Sequence, residues 1–507
     1  MLHRDLPLFS DLRDFVAFLE ANGRLRRIAE PVSVVHEITE VHRRVLREDG
    51  PALLFEHPVK SDGGPSEMPV LVNLFGTTER IAWGFGVEPE GLPALGEMLA
   101  ELRRPQPPRD MRDAWRKLPL ARAILLMRPR HGAAATGCVL IGQNVDLGRL
   151  PAQIPWPGEP APLVTWPLVI TRPPDGGPDG AENIGVYRMQ MLGRDRAIIR
   201  WLAHRGGARH HRQWQARGLD MPVAVAIGTD PATILAAVLP LPELQSELRF
   251  SGLLRGARPR LAPCRTVPLC VPAGAEIVIE GMVSANETAP EGPYGDHTGY
   301  YNAVENFPVM TVTAITMREK PIYLSTFTGR PPDEPSRIGA ALNALFLPIV
   351  RREFPEIIDL WLPPEACSYR IAVVAIAKRY PGQARRIMMG LWSLLPQFTY
   401  TKLLIIVDDD IDPRDWADVM WAMSTRFDAS RDLMTIDNTP IDSLDFASPA
   451  AGLGGKIGTD ATNKIGTETV RQWGRVLAMD PDVVARIDAI WSRLGIDLAC
   501  RAAGSAA

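Results

Sequence analysis

The chain has 507 residues, 46% hydrophobic and 23% charged, with a formal net charge of −3. A chain this long exceeds what one hydrophobic core usually serves, so about two or three domains are expected, and the charge leaves no basic excess for wrapping nucleic acid. The five cysteines, Cys138, Cys264, Cys270, Cys367 and Cys500, are odd in number and lack a CxxC, which speaks against a disulfide framework or thiolate zinc site and for a reducing, cytoplasmic home.

In chain order, Ser10 is expected to cap a helix whose Leu12, Phe15, Val16 and Leu19 share one face, with Gly23 as a left-handed stop. MPVLVNLFG (68–76) reads as a buried strand with a glycine end. RPQPP (104–108) and the proline-rich stretch 151–162 then punctuate a switch to strand-like patterns: PLVIT, NIGVYRMQML, PVAVAIG, AEIVIEG and VMTVTAITM. Strands at this density, with turn signals between them, suggest an antiparallel barrel or sandwich. From about Asp333 the pattern alternates: a helix near 336–353, strand SYRIAVVAI, helix GQARRIMMGLWSLL, strand KLLIIVDDD, helix PRDWADVMWAMSTR, then LMTID. That rhythm implies a parallel sheet with crossover helices. Asp480 and Pro481 are expected to cap a last helix with Val484, Ile487, Trp491 and Leu494 in one stripe. No apolar run approaches the roughly 20 residues of a membrane span, and an N-terminus carrying Asp5 and Asp11 does not read as a signal peptide.

The parallel part carries neither GxGxxG after a strand nor GxxxxGK[ST]. Asp408, Asp409 and Asp410 at a strand end read as helix-dipole partners and loop solvation rather than metal ligands. The adjacent His210 and His211 attract attention, but neighbours in sequence point apart, and both are assigned to the surface.

Chemistry concentrates in EGPYGDHTGYY (291–301), where Glu291 and Asp296 stand five positions apart around a Gly-Pro-x-Gly reversal. In such a pair one carboxylate can stay charged against a cation while the other holds a proton near neutral pH. Read locally, an ordinary surface turn is the commoner meaning of these residue types.

EGPYGDHTGYY, NIGVYR (183–188), RWLAHRGG (200–207) and TGRPPDEP (328–335) together resemble the UbiD family of prenylated-flavin decarboxylases. The stretches DLRDFVAFLEANGRLRRI, GPALLFEHP, IMMGLWSLLPQFTYTKLLIIVDDD and NTPIDSLDFASP are similar to its 3-polyprenyl-4-hydroxybenzoate decarboxylase branch, and the resemblance runs from about Asp11 to about Leu494.

The resemblance implies an α/β and α+β multidomain chain: an N-terminal α/β domain (1–120), a central split β-barrel binding flavin (121–332), a C-terminal α/β oligomerisation domain with a parallel sheet (333–478), and a terminal helix and tail (479–507). It implies prenylated FMN bound through its phosphate to a divalent metal, usually Mn2+, with K+ nearby. The metal would be held by Asn183, His204 and Glu247, and the flavin lined by Val186, Tyr187, Arg188, Arg200, Trp201, Leu202, Arg205 and Gly206. Arg188 then grips the substrate carboxylate, Glu291 holds its fork in place, and Asp296 donates the proton.

In a regular strand Asn183 and Arg188 would face opposite sides; either Gly185 marks a bulge or turn, or the two serve different ends of a long cofactor, the view the resemblance favours. The substrate implied is an aromatic acid with a polyprenyl tail in ubiquinone synthesis. Also implied are a hexamer, peripheral contact with the cell membrane and a flavin prenyltransferase as cofactor supplier. Two alternatives stand beside this: a relative acting on another aromatic or acrylic acid, and a non-catalytic flavin-binding protein.

Overall fold

The computed structural model describes residues 6–103, 107–134, 136–176, 182–202, 205–239 and 246–496. The chain divides into two compact units, one of Met1–Ile349 with Pro364–Ser368, the other of Val350–Pro363 with Tyr369–Ala507.

In the first unit the helix Leu12–Ala21 buries Leu12, Phe15, Val16 and Leu19, the stripe the spacing predicts. Its cap is Asp11 rather than Ser10: the Asp11 carboxylate accepts from Asp14 N, while the Ser10 backbone donates to the Asp14 side chain. A carboxylate caps as well as a hydroxyl, so the one-residue shift costs nothing. Behind this helix Leu25–Ile28, Ala52–Phe55, Val70–Val72 and Tyr323–Leu324 form a four-stranded sheet, the last strand returning from far along the chain.

The centre of this unit is a nine-stranded antiparallel sheet. Its path runs Asn183–Val186, Leu168–Thr171, Met221–Ile227, Ile277–Glu291, Glu305–Met317, Arg196–Ile199, Met189–Met191, Leu163–Val164, with Cys138–Ile141 added beside Glu305–Met317. Val186 and Met189 lie near opposite ends of that path yet are three residues apart in sequence. Three extended residues reach at most about 11 Å, so the sheet has to curl until its edges nearly meet. Tyr187 and Arg188 cross the remaining gap.

The long strand Ile277–Glu291 pairs with Glu305–Met317 through two register shifts, one at Glu280/Gly281. Gly281 is required there, because a Cβ would stand 2.2 Å from Thr311 O. Glu291 is the last residue of this strand, so the central sheet itself aims it.

The second unit holds a five-stranded sheet ordered Ile357–Trp361, Ile371–Ile376, Leu403–Asp408, Leu453–Ala461, Leu433–Pro440. The middle three strands are parallel, as the alternating pattern predicts; both edge strands are antiparallel, which it does not. Val373, Ala375, Ile405 and Val407 pack with Val419 and Ala422 of the helix Trp416–Arg426. Burial on both faces explains why these strands read as unbroken apolar runs. Asp408 and Asp410 pair with Arg426 in the last turn of that helix while Asp415 caps its start, so they serve an ion pair rather than the helix dipole. Asp480 caps the helix Pro481–Asp488, which carries only Val484 and Ile487 of the expected stripe; Trp491 and Leu494 fall beyond its end in a short 3-10 turn, and all four are exposed.

Among the described residues no helix is long and apolar enough to cross a membrane.

Candidate active site

The curled sheet brings the three predicted catalytic residues together. Arg188 leaves the gap between two strands and meets Glu291 at the end of the long strand in a two-point contact: Nε donates to Oε1 at 2.7 Å and Nη2 to Oε2 at 3.1 Å. Nη1 donates to Asp296 Oδ2 at 2.9 Å. Nη2 also donates to Asn302 Oδ1 at 2.8 Å, and the guanidinium lies over the Tyr294 ring, 5.3 Å from its centroid. Arg200 reaches Glu291 from the other side, Nη1 to Oε2 at 3.1 Å. Glu291 thus sits fully buried between two guanidinium groups, with 1% of its side chain exposed.

The loop after Glu291 is fixed by backbone contacts as much as by side chains. Gly292 takes a φ of +89°, a conformation that favours glycine, and its N–H donates to Gln190. Asn302 Oδ1 accepts from Tyr294 N, and Asp296 N donates to Tyr300 O, closing the loop on itself.

Burial pushes the Asp296 carboxyl up. The backbone and ring of His297, whose Nδ1 lies 2.9 Å from Oδ1, together with Arg188, outweigh burial and hold the group well below the usual carboxylate range. The residue expected to hold a proton is therefore charged in this arrangement, and the fork expected to be open for a substrate is filled by Glu291, Asp296 and Asn302.

A second cluster lies where the strand Asn183–Val186 meets two helix starts. The Glu247 carboxylate accepts from Ile184 N at 3.0 Å, and burial raises it to about 7. Asn183 Nδ2 donates to the Tyr187 hydroxyl at 3.3 Å. His204, the third expected ligand, lies outside the described residues.

Gly185 is neither bulge nor turn: it clears space for the Tyr187 ring, which would stand 2.6 Å from a Cβ there. The parity conflict disappears because the strand ends at Val186, so Asn183 and Arg188 do not share one strand.

The helix Gly206–Gln215 starts at Arg205 without a side-chain cap. A Cβ on Gly206 would stand 1.9 Å from Asn183 Oδ1, and one on Gly207 2.6 Å from Trp201 Nε1. That indole nitrogen is buried with no partner among the described residues. A helix start whose Gly207 N–H reaches only the Tyr187 hydroxyl, at 3.4 Å, an orphaned donor and two glycines admitting close approach suit a phosphate group. An amide oxygen and a buried carboxylate suit a hard divalent cation. The residues present thus fit the phosphate end of a flavin held through a metal.

His210 and His211 correct the surface assignment. Both are buried, His210 Nδ1 on Thr171 Oγ1 and His211 Nε2 on Ser284 O, each at 2.9 Å. With Gly207 and Ala208 they form the face of the helix that packs on the central sheet. Burial lowers His210 to about 4, so it is a neutral core residue.

Sequence reasoning missed Asn302, one residue beyond the loop motif, and Glu159, buried behind the loop and pushed up to about 7 by that burial. No local signal marks either.

Three family models match the chain: the 3-octaprenyl-4-hydroxybenzoate carboxy-lyase N-terminal domain over residues 16–99, its Rift-related domain over 130–331 and its C-terminal domain over 336–461. Among solved structures the chain is similar to the UbiD-class enzyme HmfF from Pelotomaculum thermopropionicum in complex with FMN, at 29% identity over 94% of this chain and 99% of that one, with a TM-score of 0.76. Vanillic acid decarboxylase from Sedimentibacter hydroxybenzoicus shares the fold at 24% identity, 97% and 100% coverage and a TM-score of 0.81. So does the 3,4-dihydroxybenzoic acid decarboxylase of Klebsiella pneumoniae, at 21% identity, 94% and 99% coverage and 0.73.

Proposed function

Because the chain belongs to the UbiD family and is a carboxy-lyase, we propose that it converts a 3-polyprenyl-4-hydroxybenzoate to the 2-polyprenylphenol of ubiquinone synthesis, using prenylated FMN and a divalent metal such as Mn2+. The observation that carries the reading is the buried Arg188–Glu291–Asp296 network at the gap of the curled sheet. The bound cofactor supplies the electron sink for the ring carbon that loses CO2. Asn183, His204 and Glu247 would hold the metal, and the start of the helix Gly206–Gln215 would offer its N–H groups to the phosphate. Val186, Tyr187, Arg188, Arg200, Trp201, Leu202, Arg205 and Gly206 line the flavin.

The chain's own residues handle charge and proton. Glu291, held between Arg188 and Arg200, fixes both guanidinium groups. An arriving substrate carboxylate competes with Asp296 for Arg188 Nη1 and, as a like charge, drives Asp296 to take up a proton. Protonated Asp296 releases Nη1 to the substrate and afterwards delivers its proton to the ring carbon.

On this reading residues 121–332 form the flavin-binding split barrel and 333–478 the assembly domain of a hexamer, with 1–120 and 479–507 as its flanking parts. The enzyme meets its insoluble substrate at the membrane surface and depends on a flavin prenyltransferase. The test is turnover of a short-chain prenylated 4-hydroxybenzoate after reconstitution with prenylated FMN and Mn2+. Vanillic and 3,4-dihydroxybenzoic acids serve as competitors, and faster turnover of either replaces the substrate assignment while leaving the reaction class.

A further inference from the structure

The segment Trp156–Ala161 lies behind the catalytic loop and ties it down at several points. Tyr294 Oη donates to Ala161 O at 3.0 Å, the Tyr301 hydroxyl to Pro157 O, and Gly295 N to Glu159 Oε1 at 3.0 Å. Glu159 Oε2 accepts from Trp156 N at 3.1 Å, so one carboxylate joins the strap to the loop. The Trp156 indole wedges between Gly295 and Gly329, where Cβ atoms would stand 2.2 Å and 2.7 Å from its ring, and Nε1 donates to Thr328 O at 2.8 Å. Thr328 Oγ1 in turn donates to Gly295 O, so Gly295 is held at both its N–H and its carbonyl.

We propose that Glu159 is a positioning residue for decarboxylation, holding Gly295 so that Asp296 meets Arg188. Glu159 is buried; its two hydrogen-bond partners are backbone N–H groups, and the positive charge of Arg188 acts on it through space without a direct contact. A buried carboxylate with no cation in hydrogen-bond contact is costly, and a purely structural turn could be satisfied by a neutral acceptor. What the carboxylate adds is two acceptor oxygens on one rigid plane, facing two N–H groups from different segments. Gly295 immediately precedes Asp296, so displacement of its amide moves the 2.9 Å contact between Asp296 Oδ2 and Arg188 Nη1. Glutamine keeps the shape but turns an NH2 toward one of the two N–H groups, which breaks one tie without opening a cavity.

The kinetic arm rests on the decarboxylase reading; a second arm does not. In the reconstituted holoenzyme, Glu159→Gln should lower kcat about tenfold with KM changed less than about twofold, and leave flavin content and melting temperature as in the parent. Hydrogen exchange of the peptide spanning 292–301 should be faster in the same variant. Gly295→Ala, whose Cβ strikes Trp156, perturbs the contact from the other side. If both variants act through one contact, the double variant should be no slower than the worse single one. Additive losses, or loss of flavin and melting temperature together with activity, overturn the positioning role. Unchanged loop exchange overturns it whether or not the parent turns over. A parent without turnover but with faster exchange in Glu159→Gln overturns the function assignment and leaves the clamp standing.

Discussion

Replacing Arg188 by lysine separates a structural ion pair from a catalytic fork. An exposed pair would tolerate the change at roughly 1 kcal/mol or less. Arg188 is not exposed: 14% of its side chain is accessible, and its three nitrogens make four hydrogen bonds to Glu291, Asp296 and Asn302. A lysine ammonium has three N–H groups on one nitrogen and cannot span partners that approach a planar fork from different sides. Loss of two charge-assisted bonds, at about 1.5–3 kcal/mol each, is partly offset because the positive charge stays between the carboxylates. The expected cost is about 2–4 kcal/mol of stability, measured by urea unfolding of the unit that contains the site. Turnover should fall further: a loss of at least about tenfold in kcat/KM, or roughly 1.4 kcal/mol of transition-state stabilisation, follows if the fork also receives the substrate carboxylate. An Arg188→Lys enzyme with unchanged unfolding midpoint and unchanged kcat/KM would refute both halves of the reasoning.

Three further outcomes are expected. Asp296→Asn should retain flavin but lose most decarboxylation, because an amide can occupy the place beside Arg188 and cannot deliver a proton; near-parental turnover would remove Asp296 from the donor role. Gly206→Ala should lower flavin content after gel filtration, since its Cβ would meet Asn183 Oδ1 at 1.9 Å; full occupancy would move the phosphate end elsewhere. Glu334, buried and accepting from Phe75 N and Thr326 Oγ1, is pushed up to about 7 by burial. The folded state keeps its proton until about 7, whereas an unfolded chain releases it near 4.3, so this group's contribution is fully present below about 4.3 and lost as pH rises toward 7. Glu334→Gln should therefore gain stability relative to the parent between about pH 4.5 and 8, by an amount on the order of 2–4 kcal/mol; a pH-independent difference would show that Glu334 is ionised throughout.

Much of the fold is legible because it is local. The stripe Leu12, Phe15, Val16, Leu19 and the runs IAVVAI and LLIIVD follow from helix and strand periods alone. What is not legible depends on distant pairing: Tyr323–Leu324 joins the N-terminal sheet, and Leu433–Pro440 turns antiparallel at the edge of the second unit's sheet. The same division holds at the site. Arg188, Glu291 and Asp296 stand in motifs, and Glu291 meets the Arg188 fork as read; Asp296, read as free and protonated, instead lies charged on the same fork. Glu159 stands in a proline-rich stretch that reads as punctuation, and its meaning appears only when Gly295, 136 positions away, donates to it. His210 and His211 fail in the opposite direction: adjacency suggests exposure, but the helix packs closely enough on the sheet to bury both, with a hydroxyl and a carbonyl in place to meet them.

Charge balance links the resting arrangement to turnover. With His297 counted as a neutral donor to Asp296 Oδ1, Arg188 and Arg200 face Glu291 and Asp296, two cations against two anions in a site with little access to water; Glu305, the other partner of Arg200, is exposed and screened. A substrate carboxylate entering that neutral cluster leaves one negative charge uncompensated, which a low-dielectric site tolerates poorly. Neutrality returns if one acid takes a proton. On the proposed reading Asp296 is that acid, because its ionised state depends on His297 and on Arg188, whose Nη1 the substrate would claim. On the proposed function, the proton gained on binding would be the one the ring carbon needs when CO2 departs, and loss of the carboxylate as neutral CO2 would restore the resting charge. On this reading the depressed Asp296 group of the free enzyme is the starting point of the proton's path, and substrate binding is accompanied by uptake of one proton.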